Sequence, residues 1–254
     1  MQTRLRFAFR WSLRHLLVSA VIATLSAALV FRLWYPMPYR AMLGVGGIFL
    51  LLLLVDVVCG PLITLILANP LKSRREMKTD LSLIALIQTV ALAYGMHALW
   101  IARPAVLAFE KDRLTVVSAN EVDIAGLSHA PTGLRRLPSY GVLNVATRKP
   151  VSNAEFFSSI ELSLAGVTPA MRPAWWEPMA DQHAEMSARV KPLPELIARR
   201  TNAVAVLTKA ARDAGYPVEA LVYLPLTSSK TKEWIALLNG SLEMVGYAPV
   251  DGFE

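Results

Sequence analysis

A single cysteine in 254 residues, Cys59, excludes a disulfide framework and a cysteine-based zinc site. Inside an apolar run, its default reading is a buried small hydrophobe. Histidine is nearly as scarce. His15, His97, His129 and His183 have no metal-ligand spacing, and no His-Glu-x-x-His occurs. There is no Gly-rich phosphate loop and no spaced acidic motif in the second half. Gly126-Leu127-Ser128 is not continued as a nucleophile elbow, so Ser128-His129 reads as coincidence. The sequence thus gives no catalytic residue, no metal site and no cofactor site, and points away from an enzyme. Charged residues are also few, 18% against 54% hydrophobic, with a mean hydropathy of +0.42. That is too apolar for an ordinary soluble domain and excludes a disordered one.

The apolar residues are concentrated in three runs, 15–33, 43–68 and 81–101. A helix needs roughly 20 residues to cross a hydrocarbon core, and each run reads as a transmembrane span. A cleaved signal ending at Ser26-Ala27-Ala28 is the alternative for the first. The run continues past Ala28 to an interfacial belt, Leu33-Trp34-Tyr35-Pro36, which favours an uncleaved helix. Arg4, Arg6, Arg10, Arg14, Lys72, Arg74, Arg75 and Lys78 lie at one set of helix ends, against Arg32, Arg40 and Arg103 at the other. This bias predicts a cytoplasmic N-terminus and a domain beyond residue 104 outside the cytoplasmic membrane, in the periplasm of a bacterium with an envelope. Residues 1–104 carry a net charge of +8 and residues 105–254 a net charge of −1. The basic pI therefore records membrane orientation, and a nucleic-acid partner loses its support.

Within the spans, Ser19, Ala23 and Ala27 form a small-residue face that admits another helix. Asp56 stands almost at the middle of the second span, where an acid costs roughly 2.5–3.5 kcal/mol to insert. Gly60 and Thr64 follow on the same face, and Pro61 frees the carbonyl of Val57, predicting a kink. In the third span, Tyr94 matches Asp56 in depth, and Gln88 and Gly95 lie nearby in sequence. Two readings are open: Asp56 satisfied within the bundle by Tyr94 or Gln88, or Asp56 receiving a polar group of a partner helix. A proton-coupled transporter wants more ionisable residues and more helices.

From residue 105 the pattern becomes that of a small α+β domain. Strands are predicted over 106–110 and 114–118 around a polar turn, with a short one at 142–146. Ser152 and Glu155 fit a capping box opening a helix to about Ala165, and further helices are predicted over 179–190 and from Pro194 to Gly215. Three strands close the chain, 220–226, 233–238 and 242–248, with an Asn239-Gly240 hairpin signal. The expected fold is an antiparallel sheet with helices inserted between strands two and three, PAS-like or profilin-like in order. Trp175-Trp176, between Pro173 and Pro178, is a candidate docking surface or ligand platform.

Several segments together carry a resemblance. They are Leu33-Trp34-Tyr35-Pro36, the block Val55-Asp56-Val57-Val58-Cys59-Gly60-Pro61-Leu62-Ile63-Thr64, and Ala91-Leu92-Ala93-Tyr94-Gly95 through Arg103-Pro104 to Phe109-Glu110-Lys111-Asp112-Arg113. Leu224-Pro225-Leu226 through Trp234-Ile235-Ala236-Leu237-Leu238-Asn239 completes the set. Asp-x-x-x-Gly-Pro-x-x-Thr within one span is the most specific, and 126–190 matches loosely. The chain resembles the type IV pilin accessory proteins, the TfpX/TfpZ family of inner-membrane proteins. The resemblance implies a non-catalytic, chaperone-like role in type IV pilus biogenesis, with a cognate major pilin as partner, alongside inner-membrane lipid and other pilus assembly proteins. On that expectation Asp56, Gly60, Pro61, Thr64 and Tyr94 form an intramembrane polar site for the pilin helix, and the outer domain grips the pilin head. The rival expectations are a membrane-tethered periplasmic sensor that binds a small ligand, and an envelope enzyme needing titratable residues converging in a cleft.

Overall fold

Long stretches rich in Leu, Ala, Val and Ile, whose backbone polar groups must be satisfied internally in lipid, form continuous helices. The computed structural model describes residues 2–253. By contacts the chain divides between Ile101 and Ala102 into two compact units.

In the first unit, α1 (Gln2–Ala28) continues through a wider π-helical turn, Leu29–Trp34. A short α2 (Tyr39–Met42) leads to α3 (Val45–Leu53), a second π-helical stretch at Leu54–Cys59, and α4 (Gly60–Leu67). α5 (Arg74–Ile101) is the third long helix. Thr3–Trp34, Val45–Leu67 and Arg74–Ile101 are each long and apolar enough to cross a membrane. The first and third helices extend past the apolar runs because caps and basic residues carry them into the polar flank. Ser73 and Glu76, for instance, cap α5 reciprocally, the Ser73 amide donating to the Glu76 carboxylate at 2.9 Å and the Glu76 amide to Ser73 Oγ at 3.2 Å. Val30, Tyr35, Val45, Phe49 and Leu99 form an apolar cluster in this unit, and the Tyr35 hydroxyl donates to the Leu99 carbonyl at 2.9 Å.

The second unit is built on one mixed sheet. Its strands are β1 (Pro104–Glu110), β2 (Arg113–Ser118), β3 (Leu143–Thr147), β4 (Trp176–Pro178), β5 (Lys191–Pro192), β6 (Val222–Ser228), β7 (Trp234–Leu238) and β8 (Met244–Ala248). The order is β4-β3-β1-β2-β6-β7-β8, with β5 beside β6. The sequence led to the expectation of an antiparallel sheet, and the sheet is instead mixed. β1 runs parallel to β3, and β2 runs parallel to β6. The reason lies in the connections. Residues 119–142 and the whole helical middle are long enough to cross over and return in the same direction, whereas adjacent hairpins force antiparallel pairing. β1 and β6 are buried at nearly every position, so both faces of the sheet centre are covered.

The predicted helix after Ser152 is α6 (Asn153–Leu164), and Ser152 Oγ accepts from the Glu155 amide at 3.2 Å. The predicted 179–190 helix is a 3₁₀ turn followed by α7 (His183–Arg189). The long helix predicted from Pro194 is broken into α8 (Leu193–Arg199) and α9 (Val204–Asp213). Arg200 leaves the helical region at φ −107°, ψ 65°, and this break lets Leu193 and Leu196 on one helix and Leu207 and Ala211 on the other reach one core with Tyr223, Ile235 and Leu237. The Asn239-Gly240 signal does mark a hairpin, but its loop extends to Glu243 and Leu242 adopts φ +59°. Asn239 Oδ1 accepts from the amides of Ser241 and Glu243, which selects the longer loop.

Candidate functional site

Along α1 the residues Ala8, Ser12, His15 and Ser19 recur at spacings of four, three and four, and so share one helix face. This face meets α4. Ser12 Oγ donates to the Pro61 carbonyl at 2.9 Å, and His15 Nδ1 lies 2.6 Å from Thr64 Oγ1, which is fully buried. Small and hydroxyl-bearing side chains let the helices approach and supply the polar contacts between them.

Asp56 sits in the π-helical stretch just before Pro61. Proline brings no amide donor to the ladder, and the backbone widens on the preceding turn. The loosened carbonyl of Asp56 is taken by α5, where Gln88 Nε2 donates to it at 2.9 Å. Gly60 makes room for that contact, since a Cβ there would collide with the Gln88 amide. Four sequence candidates, Asp56, Gly60, Pro61 and Thr64, are therefore buried in one neighbourhood.

The Asp56 carboxyl group is another matter. Asp56 is 8% exposed, and its Oδ1 has no hydrogen-bond partner among the described residues. Gln88 binds the backbone instead of the carboxyl group, and Tyr94 is 75% exposed and does not line the site. The expected bond from Tyr94 or Gln88 to the carboxyl group is not what is found. Asp56 opens instead into a cavity of about 110 Å³ between α1 and α5, walled by His15, Ser19, Ile22, Gln88 and Thr89. Ser12, His15 and Thr89 were not singled out from sequence. The 8-12-15-19 spacing was the available signal. Cys59 is exposed, against the expectation of burial, because its neighbours Asp56 and Gly60 take the inward positions of this stretch.

In the second unit the Trp175-Trp176 pair is not an exposed platform. Trp176 is 2% exposed, and its indole Nε1 donates to the Ala170 carbonyl at 2.9 Å within the core around Val106, Ala108 and Val145. Trp175 is buried under two guanidinium groups, Arg172 at 4.4 Å and Arg148 at 4.8 Å from its ring centre. Those arginines hold α6. Arg148 binds the Glu155 carboxylate at 2.6 and 3.0 Å, and Arg172 donates to Ser159 Oγ at 2.8 Å. The Arg148 hydrogen bonds bring the Glu155 carboxyl down to about 2.

The result is an amphipathic helix turned inside out. Glu155 and Ser159 face the domain, no α6 residue is buried, and Phe156, Phe157, Ile160 and Leu164 are exposed. Beside it lies an open groove of about 460 Å³, walled by Phe156, Ile160 and Leu164 and edged by Arg148, Lys149 and Arg189. Glu110 also lines the groove, with burial pushing its carboxyl up. Among the described residues no group of His, Cys, Asp and Glu could hold a metal ion.

The family of fimbrial assembly protein FimB matches residues 3–44, which include the Ala8-Ser12-His15-Ser19 face. Among curated proteins, the fimbrial assembly protein of serogroup I of Dichelobacter nodosus is 32% identical over 252 residues, covering 99% of this chain and 98% of that protein. The serogroup E1 protein of the same organism is also 32% identical, over 255 residues with the same coverage. The protein of serogroups C1 and C2 is 41% identical over 127 residues, half of this chain and 97% of its own length. No solved structure matches. With relatives aligned from end to end across both the apolar helices and the sheet, the chain belongs to the fimbrial assembly protein family.

Proposed function

We propose that the protein is a non-catalytic accessory factor of type IV pilus biogenesis, of the TfpX/TfpZ kind, that binds a cognate major pilin and supports its stability or assembly. The observation that carries this reading is the whole-length similarity to fimbrial assembly proteins, which spans the membrane-type unit and the sheet unit alike. Three helices of membrane length support a multi-pass location in the bacterial inner membrane. The excess of Lys and Arg in the first half of α1 and around the start of α5 supports a cytoplasmic N-terminus and a periplasmic sheet unit. In that unit the outward apolar face of α6 offers a surface for the pilin head, in place of the tryptophan pair.

Deleting the gene and restoring it on a plasmid tests the reading. Surface pili and the membrane pool of the major pilin fall on deletion, with pilin transcript unchanged, and return on complementation. Unaltered piliation and pilin levels would contradict it. A second reading, a membrane-tethered sensor with a PAS-like outer domain, is favoured by the groove beside α6, whose volume lies within the range of small-ligand pockets. A small molecule that survives purification in that groove would favour it over pilin binding.

A further inference from the structure

We infer that the cavity at Asp56 is a receptor for one hydrogen-bond donor carried by the membrane-embedded helix of another protein, which on the reading proposed above is the pilin subunit. Asp56 lies midway along Val45–Leu67, about 16 Å of helix rise from either end. At that depth the surroundings are hydrocarbon or protein, and a polar atom gains a partner from protein alone. Three neighbouring polar side chains find partners within the chain. Ser12 binds Pro61, His15 meets Thr64, and Gln88 takes the Asp56 carbonyl. Asp56, a residue 8% exposed whose Oδ1 has no partner among the described residues, lines the cavity. An unpaired buried carboxyl oxygen is costly, and a donor from outside the chain removes that cost.

The cavity's size and walls select the occupant. About 110 Å³ accepts a single side-chain end or chain terminus, well below the roughly 300 Å³ at which small-molecule pockets begin. Ser19 and Ala85 give close approach, and Val18, Ile22 and Leu92 give an apolar border, the surface against which a second helix packs. The Asp56 carboxyl group in the wall can accept from a hydroxyl, amide or amine. The occupant is thus an apolar helix that carries a donor at the depth of Asp56.

The test uses the full-length protein in membranes of cells that co-express the major pilin, with a photoreactive amino acid at Ile22 on the cavity wall. Illumination yields an adduct between this protein and the pilin. Asp56→Ala lowers the adduct at least ~10-fold, the loss expected for a buried hydrogen bond to a carboxyl group. Ser19→Phe, which fills the cavity and leaves Asp56 in place, lowers it to the same extent. The membrane level of the accessory protein, measured by immunoblot, stays unchanged in at least one of the two variants. Adduct yield unchanged in both variants overturns the inference, as does an adduct formed with a second copy of this chain or with lipid. If the pilin co-purifies with the protein yet gives no adduct at Ile22, this inference fails and the proposed function stands. If the pilin neither co-purifies nor crosslinks, both fail.

Discussion

Arg148 holds Glu155 by two hydrogen bonds, 2.6 and 3.0 Å, and in doing so fastens the polar side of α6 to the sheet unit. Glu155 also accepts from the Val151 amide at 2.7 Å, so one carboxylate secures the helix start and the helix position together. Arg148→Ala should release α6 without unfolding the sheet. In hydrogen exchange, the amides of 153–164 lose protection while those of β1, β2 and β6 keep theirs. Equal loss in both regions would refute this division.

The same pair sets an acid dependence. The Glu155 carboxyl is lowered from 4.5 to about 2 by Arg148 and the Val151 amide. A group whose folded value is depressed contributes stability above its unfolded value and loses it as pH falls through the folded one. The attachment of α6 is therefore complete above about pH 4.5 and is lost as pH falls toward 2. Protection of α6 amides followed down this range checks it, and Glu155→Gln should abolish the dependence.

Trp176 and Phe157 separate core from surface. Trp176→Ala removes a buried indole and its hydrogen bond to Ala170, at a cost of about 3–5 kcal/mol. Phe157 is 67% exposed, and Phe157→Ala should change stability by less than about 0.5 kcal/mol. Pulse proteolysis across a urea series measures both. A stability loss at Phe157 equal to that at Trp176 would mean that α6 is packed inward.

Gly60 and Gln88 form a pair whose energetics should be coupled. Gln88→Ala deletes the bond to the Asp56 carbonyl, worth about 0.6–2 kcal/mol between membrane helices. Gly60→Val costs more in the wild-type background because the new side chain meets the Gln88 amide. In the double variant the second cost shrinks, so the two effects add to less than their sum. Thermal unfolding of the four proteins in detergent supplies the cycle, and strict additivity would contradict the contact.

Much of this architecture is legible in the sequence, and its failures have physical causes. The three long helices follow from run length, and the Ser152-Glu155 cap fixes the start of α6 at its observed place. The hairpin of β1 and β2 was equally clear, because local turn chemistry decides it. The parallel pairing of β1 with β3 and of β2 with β6 was not, since nothing local records which distant strand a crossover returns to. Trp175 and Trp176 misled for a related reason. Two adjacent tryptophans between prolines suggest a docking surface or ligand platform, but the core accepts one indole and a pair of arginines covers the other. At Asp56 the cost of a charge in the membrane flagged the residue, and the Gly60-Pro61 pair marked the distortion beside it. The sequence could not show that Gln88 would choose the carbonyl and leave the carboxyl oxygen open, because the two acceptors belong to one residue.

The proposed function turns on the binding of a pilin in the membrane. The direct measurement is the amount of major pilin recovered with the tagged full-length protein from membranes of cells co-expressing the two, against an unrelated three-helix membrane protein carrying the same tag. Stoichiometric or near-stoichiometric pilin is expected with this protein and none above background with the control. Equal recovery from both would contradict it.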